Sequence, residues 1–100
     1  MGLVESLTEY EQELKEWDIT GRKTKEREFL SGVGTASYFT LLAIATFIQE
    51  IKTPEEKRIA MRIADRAYDM QESYAKKCGP IGSLDEFYTI YQRIKTFLKT

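Results

Sequence analysis

Residues 29–49, FLSGVGTASYFTLLAIATFIQ, contain no charged side chain, although 31% of the residues in the chain are charged. As an α-helix this stretch rises about 30 Å, which is long enough to cross a bilayer. Its many Gly, Ser and Thr residues are not typical of a membrane span, which is predominantly Leu, Ile, Val and Phe. A helix that is apolar on most sides is either the centre of a protein or a span.

The surrounding sequence favours the buried centre. Apolar stripes elsewhere in the chain need a partner, and this uncharged stretch supplies one. We therefore expect Phe39, Leu42 and Phe47 to be inaccessible. We also expect Leu42→Lys to unfold or aggregate the protein, because it buries an unpaired ammonium group. A single membrane span through residues 29–49 is kept as a hypothesis of lower weight.

Apolar residues recur at spacings of three and four along the chain, which is the periodicity of amphipathic helices. Pro occurs only at positions 54 and 80. The sequence predicts an all-α single domain over residues 1–100, because a chain of this length buries one modest core. We expect a bundle of about four helices over residues 3–18, 24–51, 54–77 and 84–99, with helix two at its centre.

The first predicted helix carries one apolar stripe, which we expect to face the core. Its members are Leu3, Leu7, Tyr10, Leu14 and Trp17. Gly21, within the segment DITGRKT, is expected to be the turn residue that ends this helix. The segment Ser6-Leu7-Thr8-Glu9 fits a capping box, so a start one turn after the stripe is the alternative.

Gly32 and Gly34 are the weak point of the second predicted helix, since two glycines cost roughly 2 kcal/mol relative to alanine in a helix interior. Two alternatives stay open: the helix breaks at Gly32–Gly34, or the glycines let another helix approach closely. The segment GVGTAS begins like a phosphate-binding G-x-G-x-x-G loop. Ser37 replaces its last glycine and no strand precedes it, so packing or a kink is favoured.

The third and fourth helices have clear boundary signals. Thr53-Pro54-Glu55-Glu56 places an N-cap Thr, an N1 Pro and an N3 Glu in register, and Gly79-Pro80 ends the third helix. Ser83-Leu84-Asp85-Glu86 is a second capping box. The predicted apolar face of helix three is Ile59, Ala60, Ile63, Ala64, Ala67, Met70, Tyr74 and Ala75, and that of helix four is Leu84, Phe87, Tyr91, Ile94 and Leu98.

The chain offers little for catalysis or metal binding. It has no His, the commonest metal ligand and the usual general base. Cys78 is the only Cys, which excludes an intramolecular disulfide and fits a cytoplasmic location. A Mg²⁺ site is not favoured, because the candidate carboxylates resemble solvated surface positions: Glu13, Glu16, Asp65 and Asp69. We predict no enzyme, no catalytic residue, no metal and no cofactor.

Two basic clusters support the hypothesis that the protein binds nucleic acid. They comprise Arg22, Lys23, Lys25 and Arg27 after helix one, and Lys57, Arg58, Arg62 and Arg66 on helix three. The spacing of four places Arg58, Arg62 and Arg66 on one face, which suits phosphates or an acidic partner. The formal net charge of −1 gives no general attraction to nucleic acid. Nucleic-acid binding, alone or within a ribonucleoprotein, is the alternative hypothesis.

The aromatic content supports the leading hypothesis, which is protein–protein interaction. Aromatic residues make up 12% of the chain, and Tyr88, Ile90 and Phe97 lie off the main stripe of helix four. Aromatic side chains are enriched in protein–protein contacts, although a wide core face explains the same residues. We predict a non-catalytic helical interaction module, acting as an adaptor, a regulator or a small subunit. It is expected to self-associate or to bind a protein partner, and a membrane partner is not expected.

Overall fold

The computed structural model describes residues 2–78 and 84–99. These residues form four α-helices and no β-strand: α1 is Leu3–Lys23, α2 is Arg27–Thr46, α3 is Pro54–Cys78 and α4 is Leu84–Lys99. A short 3-10 helix, Ile48–Glu50, follows α2. The predicted all-α bundle of about four helices is confirmed.

The middle of the bundle is formed by α2 and α3 together. Each of them packs against the other three helices, and their mutual interface is the largest. α1 and α4 lie at opposite margins, so the Cα atoms span 39 × 29 × 15 Å and the molecule is flat. α1 and α3 run parallel, because Glu11 pairs with Arg62 and, further along both helices, Arg22 pairs with Asp69. The predicted centre, helix two, thus shares that position with α3.

α3 matches its prediction closely. Every predicted member of its apolar face whose side chain is described is buried: Ile59, Ala60, Ile63, Ala64, Ala67, Met70 and Tyr74. The capping box is also confirmed. The backbone N–H groups of Lys52 and Thr53 donate to Glu56 Oε1, both at 3.0 Å, and the Glu56 N–H donates to Thr53 Oγ1 at 3.1 Å.

α4 buries Phe87, Ile94 and Leu98, as its stripe predicts. Four stacked rings, those of Tyr38, Phe87, Tyr68 and Tyr91, lie at the junction of α2, α3 and α4. The centroid of Phe87 lies 5.4 Å from Tyr38 and 5.9 Å from Tyr68, and Tyr68 stacks on Tyr91 at 4.4 Å. The Ser83 capping box and the Gly79-Pro80 stop signal lie outside the described residues.

α1 differs from its prediction at its C-terminal end. The predicted turn at Gly21 is wrong, because the helix continues through this residue to Lys23. Gly21 is buried, and a Cβ atom there would meet the ring of Tyr74. The alternative capping box at Ser6 does not start the helix, which begins at Leu3. The Gly is therefore a point of close approach to α3 and not a break.

α2 is shorter than predicted and continuous through Gly32–Gly34. A Cβ atom at Gly34 would lie 3.7 Å from Tyr74 Cβ, so this residue packs on α3, whereas nothing lies within 4 Å of a Cβ at Gly32. The segment GVGTAS is therefore inside a regular helix and does not form a phosphate-binding loop. Of the two alternatives, a break in the helix or close approach of another helix, the structure shows close approach, and it does so at Gly34 only.

The expectation that Phe39, Leu42 and Phe47 are inaccessible is wrong. Phe39 is 60% exposed and Phe47 is 63% exposed, while Leu42 is half-buried. The side of α2 that packs inward carries a different set: Leu30, Val33, Gly34, Ser37, Thr40, Leu41 and Ile44. α2 touches α1 much less than it touches α3, and an apolar part of its surface therefore stays open.

This orientation of α2 gives a matched pair of charge insertions. Leu41→Lys places an ammonium group at a fully buried position and is expected to unfold the protein, whose total stability is of the order of 5–15 kcal/mol. Leu42→Lys should leave the fold intact, contrary to the expectation from sequence. Thermal melting followed by circular dichroism checks both variants. Equal loss of helicity in the two would contradict the orientation described here.

Two glycine substitutions give opposite changes in stability. Gly32→Ala should raise the free energy of unfolding by roughly 0.5–1 kcal/mol, because the site is helical and open. Gly21→Ala should lower it by about 1–2 kcal/mol, because the new methyl group overpacks the buried ring of Tyr74. Urea denaturation measures both. A stabilised Gly21→Ala variant would show that Tyr74 moves aside at no cost.

Candidate interaction groove between α1 and α2

Ion pairs attach α1 to α3. Arg62 donates two hydrogen bonds to the carboxylate of Glu11, from Nε at 2.8 Å and from a terminal nitrogen at 3.0 Å. Both Glu11 and Asp18 are buried on α1, at positions that face α3. A buried carboxylate is costly unless it is paired, so these contacts fix the side of α1 that faces α3.

Asp18 is the most densely bonded of these carboxylates, and its side chain is only 5% exposed. It accepts hydrogen bonds from Arg22 Nε and from Arg66, both at 2.9 Å. The Tyr74 hydroxyl lies 3.1 Å from the Asp18 carbonyl oxygen and 3.2 Å from its carboxylate. Burial and the neighbouring Asp18 charge raise the pKa of Tyr74 to about 12, so this phenol is a neutral donor at ordinary pH.

These contacts turn the predicted stripe of α1 away from the core. Leu14 is fully buried, but Leu3, Tyr10 and Trp17 are exposed. Leu3 and Tyr10 lie instead beside Phe47, which the sequence assigned to the core, and Trp17 lies beside Phe29. The resulting α1–α2 groove is lined by Leu3, Leu7, Tyr10 and Trp17 on α1 and by Phe29, Gly32, Ala36, Ala43 and Phe47 on α2.

The α1–α2 groove contains two hollows. One has a volume of about 400 Å³ and lies among Leu3, Ala43 and Phe47. The other has a volume of about 360 Å³ and lies between Trp17 and Phe29. The Tyr10 hydroxyl meets Thr40 Oγ1 at the rim of the first hollow. Tyr10 is the donor there, since the single hydroxyl hydrogen of Thr40 goes to the Ala36 carbonyl at 2.7 Å.

The charged side chains that line the two hollows of the α1–α2 groove are acidic. Glu50 borders the first hollow and Glu28 borders the second, and no basic residue lies between Arg27 and Lys52. Glu13 follows Tyr10 by three residues and precedes Trp17 by four, which places it on the solvent side of the same strip of α1. Glu13, Glu28 and Glu50 are exposed and form no salt bridge with a described residue.

The predicted basic clusters are largely drawn into the α1–α3 contact. Arg22, Arg62 and Arg66 each pair with a carboxylate on the other helix, and Arg22 also pairs with Asp18 on its own helix. The other members are divided between the two ends of the bundle: Lys23, Lys25 and Arg27 lie where α1 meets α2, and Lys57 and Arg58 lie at the start of α3. The structure therefore brings Arg22, Arg62 and Arg66 together as paired charges and leaves the other five residues of the two clusters at opposite ends of the bundle.

The candidate Mg²⁺ carboxylates do not converge. Glu13 and Glu16 are exposed on the outer side of α1, whereas Asp69 accepts a hydrogen bond from Arg22 and Asp65 accepts one from the Tyr91 hydroxyl. Within the described part of the chain, no three acidic, His or Cys residues are grouped to hold a metal ion. Asp65 and Asp69 therefore each join two helices, whereas Glu13 and Glu16 lie at the surface.

The predicted interface residues of helix four fall on two sides. Tyr88 and Phe97 are exposed and border a shallow hollow with Thr89, Gln92 and Arg93. Ile90 is partly buried and packs against the core. This face of α4 is more polar than the α1–α2 groove, because three of its lining side chains are Thr or Gln.

Comparison with protein-family models, curated proteins and solved structures gives no match for this chain. Among the described helices, α2 has the length and mean hydropathy of a candidate membrane span, 1.4 over its window, of which 39% is buried within the bundle. The function is therefore inferred from the geometry of the α1–α2 groove and its surroundings.

Acid should weaken the attachment of α1. Hydrogen bonds from Arg62 lower the pKa of Glu11 in the folded protein below its ordinary value of 4.5. The stability from this pair is therefore present above about pH 4.5 and is lost as pH falls through the lower folded pKa. The Glu11–Arg62 pair is partly screened by solvent, and its loss should lower the free energy of unfolding by about 1 kcal/mol. Glu11→Gln should therefore lower the melting temperature by roughly 4–8 °C at pH 7.

Melting curves between about pH 7 and pH 2.5 check this prediction. The wild type should lose more stability in acid than Glu11→Gln does, while Glu9→Gln, an exposed control on α1, should follow the wild type. Glu56 also has a lowered pKa and contributes the same trend to every variant, so the difference isolates Glu11. Parallel curves for wild type and Glu11→Gln would show that this pair does not hold α1.

Proposed function

We propose that this protein is a non-catalytic helical interaction module that binds a helix of a partner protein in the α1–α2 groove. The observation that carries the proposal is the exposure of large apolar side chains from two neighbouring helices along one valley. Phe47, Tyr10 and Trp17 are 63%, 40% and 38% exposed. Contiguous apolar surface rimmed by polar residues is typical of protein-binding sites.

The dimensions of the α1–α2 groove suit a helix. α2 is 20 residues long and therefore about 30 Å in length, and the two hollows follow one another along it. A third helix laid in the valley between two others places its side chains between theirs in the ordinary manner of helix packing. An amphipathic helix in an apolar groove is also a common mode of protein recognition.

The polar groups near the α1–α2 groove support binding over chemistry. Tyr10 and Thr40 are bonded to each other, and Thr40 also bonds its own helix backbone. Their hydroxyl groups are thereby engaged in holding α1 beside α2. The remaining surface is built of Leu, Phe, Ala and Trp side chains, which contribute contact area.

The two alternative functions have less support. Nucleic-acid binding needs unpaired cations on one surface, whereas Arg22, Arg62 and Arg66 are paired internally. A lipid-inserted α2 would have to bring with it the α3 surface that it packs on, which carries Arg62 and Arg66 beside its apolar face. Charged side chains within a bilayer are costly.

Site-specific cross-linking tests the proposal. A photoreactive amino acid at Ala43, an exposed residue in the α1–α2 groove, should cross-link to a helical segment of another protein in the native cell. The same amino acid at Thr89, exposed on α4, is the matched control and should give no cross-link to that segment. The segment is then purified and its affinity for the isolated protein is measured.

Ala43→Lys should weaken binding of the purified segment at least about tenfold, since it places a desolvated charge in an apolar contact. Thr89→Lys should leave the affinity unchanged. Equal cross-linking from both positions, or an affinity insensitive to Ala43→Lys, would contradict the proposed function. A cross-link to a second copy, with a dimer that Ala43→Lys dissociates in sedimentation, would show self-association in place of a different partner.

A further inference from the structure

We infer that the partner helix is basic at both ends and carries two apolar anchors three turns apart. This inference rests on the proposed function and adds the chemistry of the partner. It follows from two features of the α1–α2 groove that the proposed function does not need: the sign of the charges at its rim and the distance between its two hollows.

The acidic residues at the rim of the α1–α2 groove favour a partner helix with positive charge. Glu28 and Glu50 border opposite ends of the α1–α2 groove. Glu13 lines neither hollow, but its helical spacing from Tyr10 and Trp17 places it along the α1 side. None of the three forms a salt bridge with a described residue, so their carboxylates are available to a ligand. Lys or Arg near both ends of a docked helix would meet them, and rim charges of this kind chiefly set specificity and association rate.

The same charges argue against a second copy in the α1–α2 groove. In a symmetric dimer the same surface patch is present on both subunits, so acidic rims would meet acidic rims. Like charges brought together across an interface cost free energy, and neither hollow is lined by a basic side chain that would offset them. The occupant is therefore a helix of a different protein.

The spacing of the hollows sets the spacing of the anchors. On α1, the first hollow is centred near Leu7 and the second lies at Trp17. On α2, the corresponding positions are near Ala43 and Gly32. Both separations are about ten or eleven residues, or about 15 Å along a helix axis. A partner helix therefore fills both hollows with residues i and i+11, and residues i+4 and i+7 cross between them.

A designed peptide tests the charge. The probe is a helix of about twenty residues with Leu at i, i+4, i+7 and i+11 and Lys at both ends, and its counterpart has Glu in place of Lys. Fluorescence anisotropy at low salt should show that the Lys peptide binds about tenfold more tightly, a difference of about 1.4 kcal/mol. The preference should shrink as salt is raised.

Charge reversal in the protein locates the selectivity. The variant with Glu13→Lys, Glu28→Lys and Glu50→Lys should prefer the Glu peptide. A control with the same change in net charge, Glu5→Lys with Glu55→Lys and Asp85→Lys, alters exposed residues that line neither hollow and should keep the preference for the Lys peptide. Circular dichroism establishes that both variants are folded.

A third peptide tests the spacing. It replaces the Leu at i+11 by Gln and leaves the second hollow unfilled. Its affinity should fall at least about tenfold, because burial of a Leu side chain is lost. If the partner helix used only the first hollow, this peptide would bind as tightly as the peptide with four Leu residues. Equal affinity of the two peptides would therefore overturn the two-anchor geometry.

The outcomes separate this inference from the proposed function. Equal binding of Lys and Glu peptides, both abolished by Ala43→Lys, would overturn the charge preference and leave helix docking in place. Failure of the Lys peptide to bind at millimolar concentration would overturn the inference, and a cross-linked natural segment that is neutral or acidic would do the same. Whether the α1–α2 groove is a docking surface at all is decided separately, by the cross-linking at Ala43 and by the effect of Ala43→Lys on the affinity for the purified segment.

Discussion

The buried carboxylate of Asp18 is the interaction on which the arrangement of this bundle depends. It accepts hydrogen bonds from Arg22, Arg66 and the Tyr74 hydroxyl, and so joins α1 to the most central helix. Gly21, one helical turn further on, admits the Tyr74 ring that makes this contact. Removing one partner of a buried ion pair destabilises a protein more than forming the pair stabilises it. The network therefore specifies how α1 is rotated about its own axis.

That rotation explains why an apolar groove exists in a protein of this size. When one face of a helix is fixed, the direction of its other faces is fixed too. Because the buried carboxylates of α1 face α3, the side that carries Tyr10 and Trp17 faces α2. Bulky rings on α1 opposite small residues on α2, such as Gly32 and Ala43, leave the two hollows between the helices. The attachment of α1 by charge thus leaves apolar surface for another molecule.

The sequence predicts the fold well where local and tertiary signals agree. The capping box at Thr53 and the face of Ile59, Ile63 and Met70 define α3 correctly, because burial there follows one regular stripe. The class of the protein and three of the four helix starts follow from the same kind of pattern. These signals depend on residues within one or two turns of each other.

The sequence fails where burial depends on a distant partner. Glu11 and Asp18 look like ordinary surface residues of an amphipathic helix, and only Arg62 and Arg66, far away in the chain, make them interior. The uncharged stretch of residues 29–49 is visible in the sequence, but its apolar character does not reveal which of its side chains face the core and which, like Ala43 and Phe47, face the groove. The signal in the sequence is the spacing of seven that places Glu11 and Asp18 on one face of α1, together with the spacing of four that places Arg62 and Arg66 on one face of α3.

The polar seam between α1 and α3 also bears on the order in which the molecule assembles and opens. The α2, α3 and α4 helices follow one another in the chain and share a dense apolar interior, whereas α1 reaches α3 across about fifty residues of intervening sequence. Elements with few apolar contacts open at lower free energy than the core. α1 is therefore expected to dock last and to detach first, as a separately opening unit whose departure would bare the inner side of α2 without melting the other three helices.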